Sequence, residues 1–295
     1  MPAIGFVDDK GARVTFADAL AGKGEFSIRR PLLAALGQPK ESYCDVSVTG
    51  LQPAGILRQK LLRDRHDYYV KPDDQTFLMW GLAIHCLLEK YRGGDWLTEQ
   101  RMVAEIDGMK VGGTVDTMQL WKPGTLRKGW ALEVIDWKTT NVSAVKRMLA
   151  DGEKSDKLAD GAAQLNAYWT LANISPDSPI LKAGLDPAKI EPVLVLENLS
   201  RDHRDYEAAR PGKGGYPRWH EPFEVKAEPV AKTLAGLRAA IRKWKAAQKL
   251  ADDALPKCEA GLLWGGKRCR DYCEAAPFCC YAAENIEKLT GARNY

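Results

Sequence analysis

The sequence predicts an α/β fold, a small mixed sheet with helices on both faces. Three patterns carry that expectation. Strand-like runs at 101–106 and 110–115 meet at Asp107-Gly108, a pair suited to a tight hairpin turn. The run 130–137 supplies a third strand after a turn over Lys122–Gly129. Apolar residues recur at helical spacing before and after this strand block, so helices and strands alternate as in a covered sheet.

The chain opens on a stretch, 1–45, with little periodic pattern. Phe26–Leu36 reads as a short helix with Ser27 as a candidate cap. Ser47–Leu62 reads as a short lead-in to a helix. Asp73 and Asp74 offer N-caps for a helix from about Gln75 to Tyr91. Its expected apolar stripe is Phe77, Trp80, Ile84, Leu87, Leu88 and Tyr91. Gly81, His85 and Glu89 stack on another stripe, four residues apart. A lone helical histidine is more often a structural hydrogen-bonder than a ligand.

After the hairpin and third strand, 141–160 is polar and reads as a mobile loop. Gly161–Leu171 is helical, with Gln164 and Tyr168 on one face. Ile190–Glu197 is a buried strand, 199–219 a basic loop and His220–Ala227 a short edge strand. From about Val230 to Leu250 runs a helix carrying Lys232, Arg238, Arg242, Lys243, Lys245 and Lys249. Such a face can follow phosphates, but a solvated helix surface has the same composition.

At 295 residues the chain suits one large domain with an appendage, or two small domains. With 45% hydrophobic and 28% charged residues it has the balance of an ordinary globule. No apolar run is long enough to span a bilayer, so no membrane partner is expected. The start, MPAIGFVDDKGARV, lacks a basic region and apolar core, which argues against a signal peptide and for a cytoplasmic location. A net charge of +4 permits nucleic-acid binding without demanding it.

The chemistry concentrates in 111–141. Asp116 closes the run GGTVD, and Asp136 and Lys138 end the run EVIDWK. Carboxylates at adjacent strand ends can hold a hard divalent cation through oxygen. A lysine beside them can orient or deprotonate a water, and the set suits metal-assisted phosphodiester hydrolysis. A solvated charge pair at a strand end produces the same Asp-x-Lys tripeptide, so the neighbouring motifs decide.

Those neighbours resemble the PD-(D/E)XK nuclease superfamily in its RecB-like branch. GLAIHCLLEKY with His85, GGTVD with Asp116, IDWKT with Asp136 and Lys138, and Gln164-x-x-x-Tyr168 stand in the family's order. The resemblance covers residues 47 to 280. It implies a restriction-endonuclease-like core and a metal-dependent DNA nuclease, most similar to stand-alone exonucleases of phages and CRISPR adaptation systems. By the same resemblance, Asp116 and Asp136 bind one or two Mg²⁺ or Mn²⁺ ions, with His85 and the Trp137 carbonyl completing the shell. Lys138 then positions the attacking water, and Gln164 and Tyr168 hold the scissile strand. Glu105 resembles a glutamate seen on the first strand of this branch, and an exposed strand position fits it equally well. DNA is the implied partner, with a recombination or replication protein as a further expectation. The rival class is a non-catalytic DNA-binding or scaffold protein on the same fold.

Five of the seven cysteines fall within 258–280. In a reducing compartment clustered thiols read as a metal site rather than disulfides. The spacing C-x10-C-x3-C-x5-C departs from paired C-x2-C zinc knuckles. It resembles the C-terminal clusters that hold a 4Fe–4S centre in many RecB-like nucleases, which implies Cys258, Cys269, Cys273 and Cys279 as ligands. Cys44 is a substitute for one of them, and Zn²⁺ is the alternative metal. The expected division is a nuclease domain, 1–256, and a cysteine-rich tail, 257–295.

Overall fold

The computed structural model describes residues 3–37, 42–52, 57–72, 76–90, 96–125, 127–202, 219–259, 267–271 and 273–282. Side chains at 76–78, 153 and 271 are outside that description. The chain forms two compact units whose boundaries differ from the expected 1–256 and 257–295. One comprises Met1–Ser42, Pro53–Met79 and Arg242–Tyr295, and the other Tyr43–Gln52 and Trp80–Ile241. The cysteine tail therefore shares a unit with N-terminal residues.

In that first unit, β1 (Gly5–Val7) pairs antiparallel with β2 (Arg13–Thr15) and parallel with β4 (Tyr69–Val70). Helix α1 (Phe16–Leu20) begins where the Thr15 hydroxyl accepts from the Asp18 N–H, satisfying one of the orphan donors of a first turn. The expected Ser27 cap is displaced. Helix α2 (Arg30–Leu36) starts at Arg30, because Pro31 has no N–H to satisfy and a φ preset for the first turn. Phe6, Val14, Ala19, Leu33, Tyr68 and Val70 form the core, with Phe16, Phe26 and the tail's Phe278 packed on it. Helix α4 (Leu57–Arg65) receives the chain's C-terminal part: Gln59 meets Glu274 at 3.0 Å and Arg65 meets Asp252 at 2.6 Å. Phe278 stacks on His66 with centroids 4.6 Å apart.

The second unit is mixed α/β. Its sheet runs β3 (Val46–Ser47), β6 (Met109–Trp121), β7 (Ala131–Thr140), β8 (Glu191–Ser200), β9 (His220–Val225), with β5 (Trp96–Ile106) paired to β6. The expected hairpin forms: Asp107 (φ 50°) and Gly108 (φ 69°) both have positive φ, as a type I′ turn requires. Strands β7 and β8 are parallel, so the chain must cross over between them, and it does so through helices. The polar stretch expected as a mobile loop is instead α6 (Val142–Asp151) and the start of α7 (Asp156–Ile174). Asn141 caps α6 by accepting from the Ala144 N–H, and Val142, Ala144, Val145 and Met148 are buried. Helix α9 (Val230–Gln248) buries Leu237 and Ile241 within this unit's share of the helix; Trp244 and Ala247, also buried, belong to the first unit.

Helix α5 (Thr76–Lys90) lies within the expected span, but its stripe is not core. Trp80 and Leu87 are exposed, at 58% and 54%. Tyr91, Asp73 and Asp74 lie outside the described residues, as does the Phe77 side chain. Among the described residues nothing lies within 4 Å of where a Cβ at Gly81 would stand. No helix among the described residues is long and apolar enough to cross a membrane.

Candidate metal centre

The site forms where the sheet opens. On the side away from β5, β6 pairs with β3 at Val111–Gly112 and with β7 over Thr117–Trp121. The β6–β7 ladder ends at Thr117↔Ile135, so the next opposed positions, Asp116 and Asp136, face each other across a fork. The Trp137 N–H bridges it by donating to Asp116 Oδ2 at 2.7 Å. This contact is made by the N–H of Trp137; the ligand role that the resemblance implies belongs to a different atom, its carbonyl oxygen.

Opposed like charges on neighbouring strands are unfavourable, and these are also dehydrated. Asp116 is 6% exposed and Asp136 1%. Burial, and next the charge of Asp136, push Asp116 up to about 7. Burial likewise raises Asp136, against the lowering effect of Lys138. The Lys138 ammonium lies 2.7 Å from Asp136 Oδ2 and 3.0 Å from Oδ1. Asp136 Oδ2 is buried with no hydrogen bond of good geometry among the described residues.

Helix α7 supplies the second wall. Gln164 Nε2 donates to Asp136 Oδ1 at 3.0 Å and to the Tyr168 hydroxyl at 2.7 Å, and its Oε1 accepts from Lys138 at 3.2 Å. The i, i+4 pair read from sequence thus forms one network with Asp136 and Lys138. Burial raises Tyr168, so its hydroxyl stays protonated. Gly113 makes room for that ring: a Cβ there would stand 2.6 Å from Tyr168 Cε1.

Helix α5 brings in His85, whose Nδ1 lies 2.7 Å from Glu99 Oε1 and 3.4 Å from Asp116 Oδ1. The hydrogen bond to Glu99, then the charge of Asp116, raise the imidazole's pKa against the effect of burial. Potential ligand atoms of His85, Glu99 and Asp116 all lie within 4.8 Å of one another. Glu99 is not among the residues singled out from the sequence, and Glu105, which the family resemblance brings to notice, stands outside the expected site. Glu105 pairs with Lys110 near the hairpin turn and is exposed. Counting outward from Ile106↔Met109 places Glu99 opposite Asp116, so the turn contained the signal. Glu99 adopts φ 50°, a left-handed conformation that costs a non-glycine residue about 1–2 kcal/mol and collects at functional sites.

Oxygen donors from Glu99 and Asp116 with one imidazole fit a hard divalent cation. The buried Asp136 carboxylate, whose Oδ2 is met among the described residues by the Lys138 ammonium alone, stands beside them as a further oxygen donor. One consequence concerns the metal-free protein. Asp116 holds its proton up to about 7 in the fold but only to about 4 when unfolded. The contribution of Asp116 to stability is therefore fully present below pH 4 and is lost as pH rises to 7. Thermal midpoints measured in EDTA should lose that contribution across the window, the equivalent of about 4 kcal/mol. Asp116→Asn should remove that part of the slope; an unchanged slope would contradict the burial described for Asp116.

None of the seven cysteines forms a disulfide. Burial pushes Cys258 up to about 11, helped by the charges of Cys279 and Cys269. Cys273 rises to about 11 by burial, with Cys269 and Cys258 adding to it. Cys258 thus lies within electrostatic reach of Cys269, Cys273 and Cys279. Cys44 belongs to the other unit, its side chain filling the space over Gly112.

The sequence matches no family model and no curated protein. Among solved structures, one described as "Crystal structure of SSO0001" superposes with a TM-score of 0.46 at 15% identity. The match covers 85% of this chain and 92% of that one. A likeness at this level assigns no function.

Proposed function

We infer that the chain is a metal-dependent DNA nuclease of the PD-(D/E)XK type, with a restriction-endonuclease-like core in its second unit. The observation that carries this reading is the convergence of Asp116, Asp136 and Lys138 at the β6–β7 fork, with His85 and Glu99 on one flank and Gln164 on the other. A Mg²⁺ or Mn²⁺ ion held by Asp116, Asp136, His85 and Glu99 would polarise the scissile phosphate and acidify a bound water.

The chain's own groups do the rest. Lys138, with 42% of its side chain exposed, presents its ammonium at the rim, where it positions the attacking water or steadies charge on the phosphoryl oxygens. Gln164 fixes both Lys138 and Asp136, so the two charges keep one geometry. Tyr168 anchors Gln164 from behind. The four tail cysteines, Cys258, Cys269, Cys273 and Cys279, would hold a 4Fe–4S cluster, with zinc as the alternative; four thiolates suit either.

Digestion of end-labelled linear and closed circular DNA with and without Mn²⁺ tests the reading. Metal-dependent loss of the linear substrate supports it, and survival of the circle identifies an exonuclease. Intact DNA under all conditions would sink it. His85→Ala and Glu99→Gln should each raise the Mn²⁺ needed for half-maximal cleavage by roughly tenfold, since loss of one peripheral ligand weakens the ion's hold. An unshifted titration for Glu99→Gln would remove it from the set.

A further inference from the structure

Arg58 is an unusual core residue. It sits on α4 at 2% exposure, among the largest fully buried side chains of the protein. Among the described residues its guanidinium makes four polar contacts, all to the chain's C-terminal part. Nε donates to Cys279 Sγ at 3.2 Å and Nη2 to Cys280 Sγ at 3.2 Å. Nη2 also donates to the Asp252 carbonyl at 2.6 Å, and Nη1 donates to the Leu255 carbonyl. The Tyr281 ring closes one side, its centroid 4.6 Å from Cζ.

Every one of these partners is neutral if the thiols are protonated. Among the described residues no carboxylate forms an ion pair with Arg58. A buried guanidinium without an anion costs several kcal/mol, and neutral thiols are poor acceptors. The charge balances if the sulfurs are anionic, as metal-bound thiolates are.

We propose that Arg58 is the counter-charge of an anionic metal–thiolate centre in the tail, orienting Cys279 and Cys280 while its other donors hold the chain at Asp252 and Leu255. This extends the tail reading above and depends on it. Arg58 is thus a positioning residue rather than a ligand. It also brings in Cys280, which the spacing argument left out, as a sulfur held against the same cation. The geometry is that of a hydrogen-bond donor behind a ligand sulfur, a position that tunes how tightly a centre is held.

The test uses the full chain purified anaerobically, with iron, zinc and sulfide measured per chain. Metal loss to EDTA and thermal midpoint are then followed. Arg58→Met should release metal about tenfold faster than the parent, and Arg58→Lys, which keeps the charge, should recover most of that loss. In a metal-free Cys273→Ser background the sign reverses. There the buried cation has lost its anion, so Arg58→Met should raise the midpoint rather than lower it. A purely structural role, through the two carbonyls, predicts the same lowering in both backgrounds and unchanged metal release; that result would overturn the proposal. Arg58→Lys as leaky as Arg58→Met would overturn the charge role as well. Should Arg58→Met not fold, Arg58→Gln keeps a donor for the carbonyls without the charge, and metal release at the parental rate from that variant would count against the proposal. A parent protein carrying no metal would instead remove the tail reading itself.

Discussion

Lys138→Ala should lower cleavage by at least a hundredfold while DNA binding stays within about threefold of the parent. The ammonium touches both oxygens of Asp136 and the Gln164 carbonyl, at 2.7, 3.0 and 3.2 Å. On the nuclease reading, its loss removes the group proposed to position the water. It also strips a 1% exposed carboxylate of its countercharge, driving Asp136 further toward its protonated form. On the proposed reading both consequences act on turnover rather than on affinity for DNA. Asp136→Ala should be at least as severe, because a cation ligand and the lysine's partner vanish together. Lys138→Arg separates the two roles. It preserves the charge at the rim but cannot accept a proton, so activity retained by that variant would assign Lys138 to charge stabilisation rather than proton transfer.

Cys269→Ala carries the second large effect. Cys269 is 8% exposed, and its charge acts on both Cys258 and Cys273. If the tail thiols hold a metal centre, removing one should release the metal, with iron or zinc falling below about a tenth of the parent's content. Binding free energy at such a site is folding free energy. The midpoint should therefore fall by roughly 10 °C, the equivalent of a few kcal/mol for a chain this size. Cleavage assayed well below the new midpoint should survive, since Asp116, Asp136 and Lys138 belong to the other unit. A parent and variant with equal metal content and equal midpoints would leave the tail cysteines without a structural metal role.

The sequence exposed the strands better than the helices. Asp107-Gly108 fixed the β5–β6 register because two consecutive positive-φ positions admit few residue types. From that register, with Thr98 paired to Thr117 and Gln100 to Val115, a count outward from the turn sets Glu99 opposite Asp116. Gln164 and Tyr168 were legible because helical periodicity alone puts them side by side. Helix α6 was hidden: its buried residues are Val142, Ala144, Val145 and Met148, and the polar DGEKSDKLAD segment after it dominated the reading. The exposed Trp80 and Leu87 show the opposite failure, where helical spacing of apolar residues marks a possible core face but not a covered one. Arg58 was invisible, since its role depends on Cys279 and Cys280, more than two hundred positions away.

The most direct test of the central claim is a single-turnover cleavage assay in Mn²⁺ comparing the parent with Lys138→Ala on the same end-labelled duplex, with binding measured in parallel in Ca²⁺. The parent should cleave and Lys138→Ala should bind with near-parental affinity but cleave at least a hundredfold more slowly. Cleavage by Lys138→Ala at the parental rate would contradict a hydrolytic centre at the β6–β7 fork.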